Sequence, residues 1–276
     1  MTSSTTRPAA GQLLRQWRQR RRLSQLDLAS SANISARHIS YLETGRAQPS
    51  RAMVLRLCET LEVPLRERNT LLLAGGFAPA YGESTLDDSE MSAVRSALEV
   101  MLTTHEPYPA VVVDRLWNVV LGNRAMDVLM TGIPEQLLRP QPNVFRLVLH
   151  PDGLSAQLAN ARQVRELFLH RLIRQVDSTG DERLRDLHTE VCAYPEPAAE
   201  PTVNAAPVSP FEVPIRIRTP AGELSMFSTM ATFGAPADVM LSELAIELFY
   251  PLDEFTRTTL VAAAHTARPA EGTPAH

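Results

Sequence analysis

The sequence has 276 residues, 44% of them hydrophobic, and a formal net charge of −4. That length suits two globular domains, and no stretch is apolar for long enough to cross a bilayer or to read as a signal peptide. The two cysteines, Cys58 and Cys192, lie far apart, which excludes a disulfide framework and a Cys/His zinc spacing and leads us to expect a reducing cytoplasm.

The charge is unevenly placed. Residues 1–77 hold twelve Arg against five Asp and Glu, whereas the remainder holds fifteen Arg against twenty-six acids. A basic front and an acidic back point to nucleic acid for the first part only.

Residues 1–10 are small, polar and Pro-containing, and we expect a disordered arm. A helix follows at about Gly11–Arg22, with Leu13, Leu14 and Trp17 as its apolar stripe. Arg15, Arg18, Arg20, Arg21 and Arg22 carry its charge, as a solvated face or as phosphate contacts. Residues 24–46 then read as two short helices joined by a tight turn. Ser24 can cap the first, and Asn33 sits at the turn, where its side chain tolerates a left-handed backbone. Ser35 can cap the second helix and Gly45 can end it. Ile39 and Leu42 face inward, leaving Ala36, Arg37, Ser40 and Tyr41 outside. This is the pattern of a helix-turn-helix, whose second helix enters the major groove.

Ser-Gln-x-x-Leu-Ala, a turn, then Ile-Ser-x-x-Tyr-Leu-Glu-x-Gly-Arg with Pro49 just beyond resembles the phage-repressor-type (Cro/CI or XRE) helix-turn-helix family. The likeness covers roughly residues 11–75 and implies a five-helix DNA-binding domain. It departs from many members at Asn33, where they have Gly. By resemblance, Arg18 pairs internally with Glu43, and Ala36, Arg37 and Tyr41 match positions that reach base edges. Arg37 is the strongest candidate, since a guanidinium bonds guanine in bidentate fashion; Ala36 could touch only a thymine methyl. Ser24, Gln25, His38, Ser40, Arg46 and Arg51 are candidate phosphate contacts, with Ser35 beside them at the start of the helix. The alternative for any one of them is an idle surface residue.

Two more helices are expected at Ser50–Leu61 and from Pro64 to Ala74, with Cys58 a buried small hydrophobe and Gly75-Gly76 a stop. We place the first domain at 11–77, a polar linker at 78–88 and a second domain at 89–264. We expect a disordered tail at 265–276.

The second domain opens with a helix near 89–104. A hairpin follows: strand Pro109–Asp114, turn Arg115-Leu116, strand Trp117–Leu121. Helices are expected from 123 to 129, about 143–149, about 156–177 and about 181–193. A Pro/Ala loop spans 195–210. Three strands, Phe211–Thr219, Glu223–Phe233 and Val239–Phe249, and a helix at 252–264 complete the pattern. The fold class is therefore multidomain: an all-α five-helix domain, then an α+β domain with a five-stranded antiparallel sheet. Hairpin, helical middle and closing meander follow the order of a PAS domain.

Leu-Ala-Gly-Gly-Phe-Ala-Pro-Ala-Tyr at 73–81, His-Glu-Pro-Tyr-Pro-Ala at 105–110, Trp-Asn-Val-Val at 117–120, Asn123-Arg124-Ala125 and His-Pro-Asp-Gly-Leu at 150–154 resemble the MmyB-like transcription regulators. So do Leu224–Thr229 and Glu243–Phe249. The resemblance implies a PAS-like domain with an apolar pocket for a fatty-acid-like molecule. Met126, Met130, Phe145, Phe168, Phe211, Met226 and Met230 are candidate lining, with Leu129, Leu149, Val191, Ile215 and Phe249 further possibilities. Each could equally be core. Arg124 and Arg146 could hold a carboxylate headgroup or be ordinary salt-bridge partners.

The seven histidines show no metal-ligand spacing, and there is no nucleophile elbow or phosphate loop. His150 could be a haem or headgroup contact, or a turn residue. Cys192 could sense oxidation, but with nothing nearby to activate it the favoured reading is an inert buried thiol. We therefore expect no enzyme activity, no metal and no cofactor beyond a bound fatty acid or similar apolar ligand. The expected partners are double-stranded operator DNA of palindromic form, a small hydrophobic ligand and a second copy of the chain; no membrane is expected. The reading is a cytoplasmic transcription regulator, a repressor. Its rivals are a ligand-free dimerisation or protein-partner module, a haem or flavin sensor, and an enzyme fused to a DNA-binding head.

Overall fold

The computed structural model describes residues 9–198 and 213–266. The chain divides into two compact units. One is residues 1–85 with 177–179 and 234–242; the other is 86–176, 180–233 and 243–276. The expected arm at 1–10 and tail at 265–276 fall largely outside the described residues, as does most of the 195–210 loop. Where they are described, Ala10 is already helical and buried, and the last helix runs on to Thr266. No described helix is long and apolar enough to cross a membrane.

The first unit carries five helices: α1 Ala10–Arg20, α2 Gln25–Ala32, α3 Ala36–Glu43, α4 Arg51–Thr60 and α5 Leu65–Ala74. Short polar caps set the boundaries. Ser24 and Asp27 form a reciprocal capping box at α2. Ser35 and Ser50 accept from the backbone N–H three residues on, starting α3 and α4. Asn33 adopts the left-handed conformation (φ 51°, ψ 53°) that turns the chain between α2 and α3. Leu14, Trp17, Leu28, Ile39, Leu42, Leu57 and Leu72 are among the core side chains that the five helices share. Burying several such side chains, each worth about 1.5–3 kcal/mol, holds helices too short to persist alone.

The second unit is α+β. Its sheet comprises β1 Ala110–Val113, β2 Val119–Gly122, β3 Ile215–Thr219, β4 Gly222–Thr232 and β5 Ala245–Pro251. The order is β2-β1-β5-β4-β3, every neighbouring pair antiparallel. The last strand therefore pairs with the first, and both occupy the centre. Helix α6 Ser92–Thr104 precedes the sheet. Between β2 and β3 lie α7 Asp127–Met130, α8 Glu135–Leu138, α9 Val144–Leu149, α10 Ala161–Thr179 and α11 Glu182–Cys192. Trp117, Phe145 and Phe168 meet edge to face, with centroids 5.1 and 5.5 Å apart. They anchor a core that β1, β3, β4 and β5 share with α9, α10 and α11.

Buried asparagines fix the loops around this sheet. Asn123 accepts from Ala110 N and donates to the carbonyls of Leu102 and Tyr108. Asn143 accepts from the N–H groups of Phe145 and Arg146 and donates to Leu116 O and Asn118 Oδ1. A buried amide is tolerated only when its donors and acceptor are used, and these two are.

Several expected boundaries are corrected. Trp117 and Asn118 belong to the turn, not to β2, because Asp114 accepts from the N–H groups of Leu116 and Asn118 and holds a longer loop. Trp117 sits at φ 67°, a left-handed conformation unusual for so large a residue. The helix expected over 123–129 is a 3-10 turn, Arg124–Met126, followed by α7. The long helix begins at Ala161 rather than near 156, because Asn160 is tied to Pro214 O and Arg216 N. The strand expected over 239–249 is helix α12 Val239–Glu243 followed by β5, since Asp238 Oδ1 accepts from Met240 N and starts a helical turn. Phe211 and its neighbour lie outside the described residues, so the third strand is described from Ile215. Helix α13 spans Glu254–Thr266.

Candidate nucleic-acid interface and apolar cavity

In the first unit α3 buries Ile39, Leu42 and Glu43 and leaves the opposite side free. Arg37 and Arg46 are exposed. Arg37 Nε donates to Tyr41 Oη at 2.8 Å, and its guanidinium lies 5.3 Å from the Tyr41 ring centroid. The pair presents one planar cation backed by an aromatic ring, a shape suited to a base edge. His38 and Ser40 are half-buried on the same helix. Ala36 is partly buried against the core, which leaves it less to present than Arg37.

The other sequence candidates divide by their engagement. The hydroxyls of Ser24 and Ser35 serve as helix caps. Gln25 Nε2 donates to Glu43 Oε2 at 2.9 Å. Arg51 opens α4 and is exposed. In α1 and just beyond it, Arg18 is spoken for by Glu43, and Arg21 donates to Leu61 O and Glu62 O. Those two arginines join elements of the domain, while Arg15, Arg20 and Arg22 remain exposed.

The second unit contains an apolar cavity between the sheet and the helices that face it. The sheet supplies Val111, Val119, Ile215, Ile217, Met226, Glu247 and Phe249. Facing them are Met126, Leu129 and Met130 from the segment at α7, Val144, Leu147 and Val148 from α9, Leu154, Leu158, and Phe168 from α10. Three of these side chains are methionines, which yield to a ligand more easily than branched residues.

Of the expected lining residues, Met126, Met130, Phe168 and Met226 are there, as are Leu129, Ile215 and Phe249. Four expectations are corrected, together with two secondary ones, and one falls outside the described residues. Phe145 is fully buried between Trp117 and Phe168 and belongs to the solid core. Met230 is 40% exposed, and its sulfur meets Arg171. Arg124 is exposed at the start of the 3-10 turn and does not line the cavity. Arg146 is held by Glu190 through two hydrogen bonds of 2.8 and 2.7 Å, also away from the lining. Leu149 and Val191 are core. Phe211 lies outside the described residues.

The Arg146–Glu190 pair continues to Tyr194, whose hydroxyl donates to Glu190 Oε1 at 2.7 Å. Burial and the bond to Glu190 push the Tyr194 phenol up to about 12. His150 stacks edge to face on Tyr194 and accepts from Asp152 N, the behaviour of a turn residue. Cys192 is exposed, contrary to the expectation of a buried thiol; it ends α11 beside His188. Among the described residues no cluster of three His, Cys, Asp or Glu could hold a metal ion.

One residue that the sequence reading passed over is Glu247. It is 2% exposed and, among the described residues, is the only ionisable side chain in the cavity wall. Its signal was legible: a lone acid in Ala-Ile-Glu-Leu-Phe, a strand otherwise apolar.

Comparison with known families agrees with this division. A model described as a helix-turn-helix domain matches residues 9–71. A model described as the MmyB-like transcription regulator ligand binding domain matches residues 94–262. No curated protein matches the chain. Among solved structures, an RNA-binding light-oxygen-voltage receptor aligns at 13% identity with a TM-score of 0.27. The alignment covers 96% of this chain and 65% of that one, and at that score it carries no structural argument.

The protein is thus a helix-turn-helix transcription regulator with an attached ligand-binding domain. The chain belongs to the family of MmyB-like transcription regulators.

Proposed function

We propose that this regulator is a cytoplasmic repressor that binds a palindromic operator as a homodimer and senses a small hydrophobic ligand shaped like a fatty acyl chain. The reading rests chiefly on one observation: fifteen of the sixteen described residues around the cavity are apolar, within a domain whose family is ligand-binding. Strand order β2-β1-β5-β4-β3, with helices between the second and third strands, supports treating that domain as PAS-like. Methionine and phenylalanine walls suit a flexible hydrocarbon.

On the DNA side, Arg37 and Tyr41 read base edges with Ala36 beside them. Ser24, Gln25, Ser35, His38, Ser40, Arg46 and Arg51 lie along the phosphates. One short recognition helix reads one half-site, and two helices a DNA turn apart read a palindrome. Ligand changes operator affinity by binding one conformation better than another. The domain senses and does not catalyse.

The test is the mass of the purified protein, native against denatured, followed by solvent extraction. An acyl-type compound released on denaturation, and a change in operator affinity when it is added back, support the reading. Equal masses, with no rise in melting temperature on adding alkyl compounds, favour a ligand-free dimerisation module. Sedimentation showing a monomer both free and on operator DNA overturns the dimer. Increased reporter expression on deleting the protein is expected of a repressor, and decreased expression overturns that role.

A further inference from the structure

The first unit is not one stretch of sequence: residues 177–179, the last turn of α10, and 234–242, the connector between β4 and β5, complete it. Within that unit Asp238 uses both carboxylate oxygens. Oδ1 accepts from Met240 N at 2.8 Å and starts α12, while Oδ2 accepts from Ser84 N at 3.2 Å and from Ser84 Oγ at 3.0 Å. Val239 beside it is fully buried, and its N–H donates to Gly82 O at 2.9 Å. Gly82 is held too closely for a side chain, since a Cβ there would lie 2.9 Å from Asp238 Oδ2. Asn69 of α5 binds the same segment: its Oδ1 accepts from Ala80 N and Tyr81 N, and its Nδ2 donates to Tyr81 O and Glu83 Oε1. Leu71 and Leu72, also in α5, share one core with Ile39 and Leu42 of α3.

Each of these segments continues an element of the cavity wall. β4 supplies Met226, β5 supplies Glu247 and Phe249, and α10 supplies Phe168. The second unit grips both segments where they return to it. Arg115 pairs with Asp181, just past Thr179, and its Nε lies 3.7 Å from Glu243 Oε2, just past Ser242. Arg115 O accepts from Gln175 Nε2 at 3.2 Å, and Gln175 Oε1 accepts from Trp117 Nε1 at 2.6 Å. Trp117 in turn packs through Phe145 on Phe168. A cavity wall that moves carries these segments with it, because close-packed helices and paired strands pass on a displacement instead of absorbing it.

We propose that Asp238 couples the cavity to DNA binding. A ligand that fills the cavity sets the spacing of β4 and β5 from α10, and residues 234–242 follow the two strands. Asp238 passes that shift through Ser84 and Gly82 to α5, and the shared core passes it to α3. One carboxylate serves both sides: the oxygen that caps α12 and the oxygen that holds Ser84 move as one rigid group. This rests on the ligand-binding reading above and adds its route to the operator. The size of the effect on DNA is set by the difference in ligand affinity between the two arrangements.

The experiment uses the full chain, with dodecanoate and dodecanol as probes and, as operator, the tightest duplex selected from a random library. Calorimetry gives probe affinity, and fluorescence anisotropy gives operator affinity with and without probe. In the wild type a bound probe should change operator affinity by at least about fivefold. Asp238→Asn keeps an oxygen to cap α12 and loses the acceptor for Ser84. It should bind the probe, and the operator without probe, as the wild type does, while the probe's effect on the operator falls to within about twofold. Ser84→Ala leaves the α12 cap untouched and should lower the effect part of the way; it decides the matter if Asp238→Asn does not fold. A full probe effect in either folded variant, or a probe that binds the wild type without changing operator affinity, overturns the coupling but keeps the ligand-binding reading. Loss of probe binding, or of probe-free operator binding, in a folded Asp238→Asn makes Asp238 a structural residue and also overturns it. Binding of neither probe to the wild type sinks both readings.

Discussion

Arg18 and Glu43 form a buried two-pronged ion pair between α1 and α3: Nε donates to Oε1 at 2.6 Å and Nη2 to Oε2 at 2.8 Å. Arg18 Nη1 also donates to Leu23 O, and Gln25 donates to Glu43, so the pair is embedded in a network. Removing one partner strands a buried charge. Arg18→Ala or Glu43→Ala should each lower stability by about 3–5 kcal/mol, read as a drop in the urea midpoint. The apolar double replacement Arg18→Met with Glu43→Leu should recover much of that loss.

The same pair sets an acid limit. Burial pushes the Glu43 carboxyl up, but hydrogen bonds from Arg18 and Gln25 and the charges of Arg18 and Arg15 outweigh it, so Glu43 titrates below its ordinary value. A depressed folded value means stability that is present above the unfolded carboxyl pKa of about 4.3 and lost as pH falls through the folded one. Melting temperature of the wild type should therefore fall below about pH 4, and that fall should be shallower in the apolar double variant.

Gly11 is a packing point. A Cβ built there would lie 2.0 Å from the Leu42 carbonyl oxygen and 3.0 Å from its carbon. Those are backbone atoms of α3, so they cannot rotate aside. Gly11→Ala should push α1 from α3 and cost about 1–3 kcal/mol or more, measured by thermal unfolding. An unchanged melting temperature would show that the two helices are not held this closely.

Arg37→Ala should weaken operator binding by about 1–3 kcal/mol while changing random-sequence binding much less. Fluorescence anisotropy on both DNAs at fixed salt decides it. Equal losses would make Arg37 a phosphate contact only.

Arg146→Ala should leave ligand affinity within about twofold and lower stability by no more than about 1 kcal/mol, as for other half-exposed ion pairs. The reason is its engagement: both of its bonds go to Glu190, outside the cavity wall. A large affinity loss would place a headgroup at Arg146 after all.

The two thiols should separate by reactivity. Burial pushes the Cys58 thiol up to about 12, against the opposing charge of Arg68. Cys192 is exposed. A thiol reagent at neutral pH should label Cys192 in the native protein and Cys58 only after unfolding, as read by peptide mass. Fast native labelling of Cys58 would contradict the packing of α4.

The helix-turn-helix was readable because its signals are local. Ser24, Asn33, Ser35 and Gly45 each act within a few residues, through a cap or a left-handed turn, so their meaning travels with the sequence. The Arg18–Glu43 pair spans 25 residues and was legible only by resemblance. The five strands and their antiparallel pairing also follow from apolar runs punctuated by turns. Local rules failed where a distant or neighbouring polar group intervened: Asp114 lengthened a turn, Asp238 converted the start of a strand to helix, and Asn160 delayed a long helix. The cavity was decided by tertiary structure alone. Phe145 and Phe168 carry the same side chain on neighbouring helices, yet one fills the core and the other lines space. Periodicity reports which face is buried, but the gap between sheet and helices is set by how every side chain in both layers packs together. Glu247 gains its meaning in the same way, because only the assembled sheet turns a single strand acid into the polar point of an apolar chamber.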